Sequence, residues 1–144
     1  MAAHYESKHG EVALPPEQLY MSFTDLSMFT HSLPAEYQDS VTADYDNLRA
    51  TVRGFTVAVK VVERRPYSLI RIEDSEAPFH FSVQAHFEPA SSNATEFWLE
   101  ADADLNFMMK AMLGGRINEA LDKAVDTLVA VSHGKQPQFP SDLG

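Results

Sequence analysis

The sequence has 144 residues, of which 44% are hydrophobic and 22% are charged, a composition typical of one globular domain. Its formal net charge of −10 and its 11 scattered Lys and Arg residues argue against a nucleic-acid-binding protein and a polybasic membrane anchor. The absence of cysteine excludes disulfides, thiolate metal ligands and a cysteine nucleophile.

The N-terminal residues lack the apolar core of a signal peptide, and no apolar run approaches the ~20 residues that span a bilayer. We therefore expect a cytoplasmic protein without stable membrane insertion. The pattern predicts one domain over residues 1–134 and a flexible tail over residues 135–144.

Short elements are predicted at the start of the chain. Residues 5–14 are expected to form a strand that stops at Pro15, and a short helix is expected directly after this proline. Asp25 is suited to cap a second short helix over residues 26–33, which Pro34 ends.

From Ala43 onward apolar and polar residues alternate, which predicts antiparallel strands with one dry face and one wet face. Strands are expected over residues 55–64, 69–73, 79–88 and 96–104, with a turn at 65–68 and a loop at 89–93. The predicted dry face contains Phe79, Phe81, Val83, Ala85, Phe87, Phe97, Leu99, Ala101 and Ala103.

A long amphipathic helix is predicted to begin near Leu105 and to end at His133-Gly134. At 100° per residue its apolar stripe comprises Met109, Leu113, Ile117, Ala120, Ala124, Leu128 and Val131, with Leu121 and Val125 beside it. The helix begins with three methionines and Lys110, and then has Gly114-Gly115, which costs about 1 kcal/mol per glycine relative to alanine.

The order of strand, two short helices, antiparallel strands and one long helix resembles the helix-grip fold of the START-like (SRPBCC) superfamily, which includes polyketide cyclases and lipid-transfer domains. Three local segments carry the resemblance: Val62-Glu63-Arg64-Arg65-Pro66, Ala77-Pro78-Phe79-His80-Phe81 and Leu105-Asn106-Phe107-Met108-Met109-Lys110-Ala111-Met112. The resemblance covers residues 4–134 and is greatest to small bacterial members of uncharacterised function. It implies an α+β fold in which a curved antiparallel sheet wraps around the C-terminal helix.

The resemblance also implies a cavity between the sheet and this helix that holds a small hydrophobic or amphipathic ligand. We expect no cofactor. The residues expected to line it are Leu26, Phe29, Phe79, Phe81, Phe97, Met109, Lys110 and Met112. A fully packed core built from the same residues is the alternative, because aromatic stripes also occur in ordinary cores. Lys110 is expected either to extend its ammonium group into solvent or to bind the anionic head of a ligand.

Metal-binding and catalytic patterns are weak, and we expect neither a metal site nor a catalytic residue. His80 and His86 share a strand face, but six residues of strand separate them by roughly 20 Å, too far for one ion. The carboxylates that share a face with Trp98 are interpreted as a solvated surface; they belong to Glu100, Asp102 and Asp104. Arg64-Arg65 is interpreted as a surface turn, with an anion site as the alternative.

Three functions remain open from the sequence. The first is non-enzymatic binding, with transport or sensing of a small hydrophobic or amphipathic molecule by a monomer or weak homodimer. The second is a cyclase-like or dehydratase-like enzyme, which requires acid–base groups that face the cavity. The third is a protein-interaction or co-chaperone-like module, which requires a contiguous apolar patch that includes residues such as Trp98 and Val129.

Overall fold

The computed structural model describes residues 2–30, 35, 39–52 and 54–134. Within these ranges the elements, in chain order, are β1 (Ala2–Glu6), β2 (Gly10–Val12), α1 (Pro16–Thr24), α2 (Leu26–Thr30), β3 (Val41–Ala43), β4 (Asn47–Val52), β5 (Phe55–Arg65), β6 (Leu69–Glu76), β7 (Phe81–Ser91), β8 (Ala94–Asp104) and α3 (Phe107–Ser132). Residues 135–144, predicted as a flexible tail, lie outside the described part.

The strands form one antiparallel sheet in the order β1-β8-β7-β6-β5-β4-β3, with β2 also paired to β8. Two bulges interrupt the register of β5 with β6, one at Val62 in β5 and one at Ser75 in β6, and such bulges bend a sheet. A long C-terminal helix packs on this sheet, so the predicted α+β helix-grip fold class is confirmed. None of the helices in the described part is long and apolar enough to cross a membrane.

The first predicted strand is interrupted and forms two strands. At the interruption the Ser7 hydroxyl accepts the Leu99 N–H at 2.8 Å, while the Ser7 N–H donates to the Leu99 carbonyl at 2.8 Å. A serine side chain therefore takes the place of a backbone acceptor, and the chain rejoins β8 at Gly10. A pattern of apolar and polar residues does not reveal such a substitution.

The cap predicted for the second short helix is confirmed. The Asp25 carboxylate accepts the Ser27 N–H at 2.9 Å and the Ser27 hydroxyl at 2.6 Å. The hydrogen bond from the Ser27 side chain is the main reason that the pKa of Asp25 lies below its usual value. The end predicted for this helix falls at residues 31–34, outside the described residues.

The predicted loop at 89–93 is wrong, because β7 continues to Ser91 and only two residues connect it to β8. Pro89 lies within the strand opposite Thr95, next to a shift in register. Proline lacks the N–H of a sheet ladder and is tolerated at such irregular positions. The strand also begins at Phe81 rather than at Phe79.

The face of α3 predicted to pack on the sheet is not the most buried face of this helix. Val125 is fully buried, whereas Ala120, Ala124 and Val131 are exposed. The buried face carries polar side chains that bond to the backbone of residues 6–13: Asn118 donates to the Glu6 carbonyl at 3.2 Å, Asp122 accepts the Lys8 N–H at 2.7 Å, and Ser132 accepts the Ala13 N–H at 3.0 Å. A hydrophobic pattern assigns such residues to solvent, which is why the stripe was misplaced.

Candidate functional site

The concave face of the sheet carries a continuous apolar row that crosses five strands. Backbone pairing aligns Val61 with Ile72, Ile72 with Val83, Val83 with Ala101, and Ala101 with Tyr5. Four of these five side chains are only half-buried, and Ala101 is the buried one. Valine and isoleucine on the covered face of a sheet are usually fully buried, so the row is incompletely covered.

The side of α3 next to this row is also half-buried. Its apolar side chains with intermediate exposure are Met109, Leu113, Ile117, Leu121 and Leu128. Met109 and Ile117 pack against a cluster that includes Ala103 and Phe81, and Leu128 packs against a second cluster that includes Ile70 and Phe87. The sheet and α3 therefore present two half-buried apolar surfaces to each other.

Tyr5 and Gly114 meet where α3 crosses the edge of the row. A Cβ atom on Gly114 would lie 3.2 Å from the Tyr5 hydroxyl, so the missing side chain allows the ring to approach the helix. The Tyr5 hydroxyl is shielded from solvent and finds no hydrogen-bond partner within the described residues. Gly115 differs, because a Cβ there would have no atom within 4 Å.

The first turn of α3 extends beyond the surface that covers the rest of the helix. Phe107 and Val125 are 18 residues apart, five full turns, and therefore point in the same direction. Val125 is fully buried, whereas Phe107 is 91% exposed. Beside this turn lies a largely apolar hollow of about 340 Å³, lined by Leu105, Phe107, Lys110 and Ala111.

A second, more polar cleft of about 380 Å³ lies at the same end of the sheet. It is lined by Ala77, Pro78, Phe79, His80, Asp104, Asn106 and Met109. The Asn106 side chain accepts the Met109 N–H at 2.8 Å and so caps α3. Asp74 accepts the Phe81 N–H at 2.8 Å, the main cause of its lowered pKa, and lies 3.0 Å from His80 Nδ1.

The structure brings three of the predicted lining residues together at this end: Phe79, Phe81 and Met109. The two phenylalanine rings lie 5.9 Å apart. Phe97 is buried in the other cluster, between Phe23 and Phe87.

The other predicted lining residues are dispersed. Leu26 is half-buried at the start of α2, and its N–H donates to the Tyr45 carbonyl at 3.3 Å. The side chain of Phe29 lies outside the described part of the chain. Lys110 and Met112 are exposed at the start of α3. Lys110 lies on the same face of α3 as Leu121, as its spacing implies. It is exposed because it lies in the first turns of the helix, which extend past the edge of the sheet.

No protein-family model matches the sequence. No curated protein matches it either. Solved structures do match: norcoclaurine synthase from Thalictrum flavum in complex with dopamine and hydroxybenzaldehyde aligns over 96% of this chain and 90% of its own, with a TM-score of 0.67 at 12% identity. A START superfamily protein from Mycobacterium smegmatis aligns over 88% and 98%, with a TM-score of 0.56 at 14% identity.

The chain has the START-like helix-grip fold. An uncharacterised protein from Bacillus thuringiensis has it too, with a TM-score of 0.66 at 14% identity over 91% of this chain and 99% of that one. These likenesses confirm the fold that the sequence resemblance implied.

The convex face of this START-like sheet carries an imidazole–indole stack that the sequence analysis missed. The Trp98 ring lies between His9, at a centroid distance of 4.3 Å, and His86, at 4.8 Å, with both imidazoles nearly parallel to the indole. His9 Nδ1 lies 2.6 Å from Glu96, and His86 Nε2 lies 3.0 Å from Glu100. Only the strand register places Trp98 opposite His86, so sequence spacing offered no signal.

His4 extends this convex-face cluster. Its Nδ1 lies 2.7 Å from Asp102, and this hydrogen bond is the main reason that the pKa of His4 is raised. The carboxylates of Glu100 and Asp102, interpreted from the sequence as simply solvated, are thus paired with imidazoles. Among the described residues, no group of three or more His, Asp or Glu is arranged to hold a metal ion.

Arg64 connects the short helices to the sheet of this START-like domain. Its guanidinium donates to the Thr24 carbonyl at 2.7 Å, the Tyr45 carbonyl at 2.9 Å and the Asp46 carboxylate at 2.6 Å. It also lies 4.1 Å from the centre of the Tyr45 ring. The surface-turn interpretation therefore fits Arg65, which is exposed, while Arg64 is a structural residue whose donors are occupied.

Proposed function

We propose that this START-like domain binds a small amphipathic molecule in the groove between the concave face of the sheet and α3, for transport or sensing. The observation that carries the proposal is the half-buried row across five strands, which faces a half-buried side of α3. Burial of this apolar surface by a ligand is favourable by about 25 cal/mol per Å². A ligand with an aliphatic or aromatic body fits this surface.

The start of α3 supplies the polar end of the proposed site. Lys110 borders the apolar hollow next to Leu105 and Phe107, and its ammonium group is accessible. A carboxylate or phosphate attached to an apolar body would meet this cation, while the body extends along Met109 and Phe81. Of the lining residues predicted from the sequence, the proposed site therefore uses those near the start of α3: Phe79, Phe81, Met109 and Lys110.

The comparisons support a small-molecule ligand. Norcoclaurine synthase, which shares the fold, has been solved with dopamine and hydroxybenzaldehyde. Both are small molecules with an apolar ring and polar substituents.

One buried side-chain hydroxyl favours a second candidate function, an enzyme of the cyclase or dehydratase kind. The Tyr5 hydroxyl is shielded from solvent and without a described partner at the edge of the groove, and such a group can transfer a proton to a bound ligand. The imidazole–carboxylate pairs of His4, His9 and His86 lie on the convex face, away from the groove. We therefore place non-enzymatic binding first.

Calorimetric titration with dodecanoate and dodecanol tests the binding proposal. We expect both to bind, and we expect Lys110→Met to weaken dodecanoate binding up to about fivefold, the range for an exposed ion pair, without affecting dodecanol. Lys123→Met is the matched control, because Lys123 is an exposed lysine on the same helix. Absence of binding by both compounds would contradict the proposal, and an equal loss in both lysine variants would contradict the role of Lys110.

A further inference from the structure

The tip of α3 exposes three large apolar side chains in consecutive turns. Phe107 is 91% exposed, Met108 is 69% exposed and Met112 is 67% exposed. Met108 and Met112 are four residues apart and therefore adjacent on the helix surface, and Phe107 lies beside Met108. These three residues are called the helix-tip patch below. Contiguous exposure of this kind marks an interaction site more often than isolated exposure does.

The segment that carries the helix-tip patch is basic, unlike the chain as a whole. From Leu105 to Asn118 the only charged residues are Lys110 and Arg116, although the chain has a formal net charge of −10. At physiological ionic strength charges farther away than about 8 Å are largely screened. Asp104, at the end of β8, is the acidic residue next to this segment, so a partner at the helix tip meets an apolar surface with two cations and one carboxylate.

We propose that the helix-tip patch docks this domain onto an anionic lipid bilayer surface. An exposed phenylalanine and two methionines flanked by Lys and Arg are the combination with which interfacial helices enter the headgroup layer. The apolar side chains would lie at the boundary of the acyl chains, and Lys110 and Arg116 would lie among the anionic headgroups. This docking is peripheral and requires no spanning segment.

The size of the patch favours a bilayer over a second copy of the chain. At about 200 Å² for a fully exposed large side chain, the three residues offer on the order of 450 Å². A stable protein–protein interface needs about 800 Å² from each partner. Symmetric pairing of two copies would also bring Lys110 and Arg116 of each copy close to the same charges of the other.

Vesicle cosedimentation tests the proposal, with vesicles of phosphatidylcholine alone and of four parts phosphatidylcholine to one part phosphatidylserine. We expect the wild-type chain to cosediment with the mixed vesicles and to bind the neutral ones more weakly. Phe107→Ser/Met108→Ser should reduce binding at least about tenfold, because each buried side chain of this size contributes that much. Arg116→Gln should reduce binding to the mixed vesicles about fivefold, the contribution of one cation near an anionic surface.

Met21→Ser/Met28→Ser is the matched control, because these methionines are 59% and 56% exposed and lie on α1 and α2 rather than at the helix tip. This variant should bind like the wild type, and all variants should keep the wild-type circular dichroism spectrum. Failure of the wild type to cosediment with mixed vesicles would overturn the proposal, as would an equal loss in the α1/α2 control. A doubled mass in light scattering that Phe107→Ser/Met108→Ser abolishes would assign the patch to self-association instead.

Discussion

Replacement of Gly10 by alanine tests how closely α3 packs on β2. A Cβ atom at Gly10 would lie 2.7 Å from Val129 Cγ2 and 2.8 Å from Val125 Cγ1, distances at which atoms must move. Val125 is fully buried, and a β-branched valine has few alternative rotamers by which to move away. We expect the free energy of unfolding to fall by about 1–3 kcal/mol, the usual cost of an extra methyl group in a packed core.

Gly115→Ala is the matched control for Gly10→Ala. A Cβ atom at Gly115 would meet no atom within 4 Å, and alanine is favoured over glycine inside a helix. This variant should therefore gain about 0.5–1 kcal/mol. Urea unfolding followed by circular dichroism measures both changes. Equal stability of Gly10→Ala and the wild type would show that α3 does not pack on β2 as described.

Three further predictions concern polar contacts. Arg64→Met should lower the free energy of unfolding by about 1–3 kcal/mol, because the buried Thr24 loses the charged donor that its carbonyl and hydroxyl accept from. Arg65→Met should change it by less than about 0.5 kcal/mol, and chemical denaturation measures both. The pKa of His4 is raised in the folded state, so its contribution to stability is present below about pH 6.5. This contribution is lost as the pH rises through the folded pKa, and it should be absent from His4→Gln at every pH tested. Trp98 is the sole tryptophan, and the His9 ring covers one of its faces at a centroid distance of 4.3 Å; His9→Ala should therefore expose the indole to water and shift its fluorescence emission to longer wavelength at constant pH.

The sequence allowed the sheet and the long helix to be predicted because their signals are local. Alternation in Phe55–Arg65 and Ala94–Asp104 depends only on which side of a strand each residue occupies. The cap at Asp25 is likewise a contact between neighbours in sequence. Such features need no knowledge of which strands pair.

The remaining features depend on contacts between distant residues. The buried line of α3 was misplaced because Asp122 bonds to the backbone of Lys8, more than 100 positions away in the sequence. Whether Lys110 is covered depends on where the sheet ends relative to the helix, which its helical direction does not specify. The stack of His9, Trp98 and His86 follows from strand register alone.

Whether the space between the sheet and α3 is open or filled depends on how much volume the side chains occupy. The same apolar residues are compatible with both states, so composition could not distinguish them. Half-burial of Val61, Ile72 and Val83 is the structural observation that favours a groove.

The most direct test of the proposed groove compares two identical substitutions, Val83→Phe and Val12→Phe. Val83 is half-buried at the centre of the row, whereas Val12 is fully buried against the core. If the groove is open, Val83→Phe should leave the free energy of unfolding within about 0.5 kcal/mol of the wild type and abolish dodecanoate binding, while Val12→Phe should lose about 1–3 kcal/mol or more. A loss of the same size in both variants would show that the interior is a filled core, and would contradict the proposed binding site.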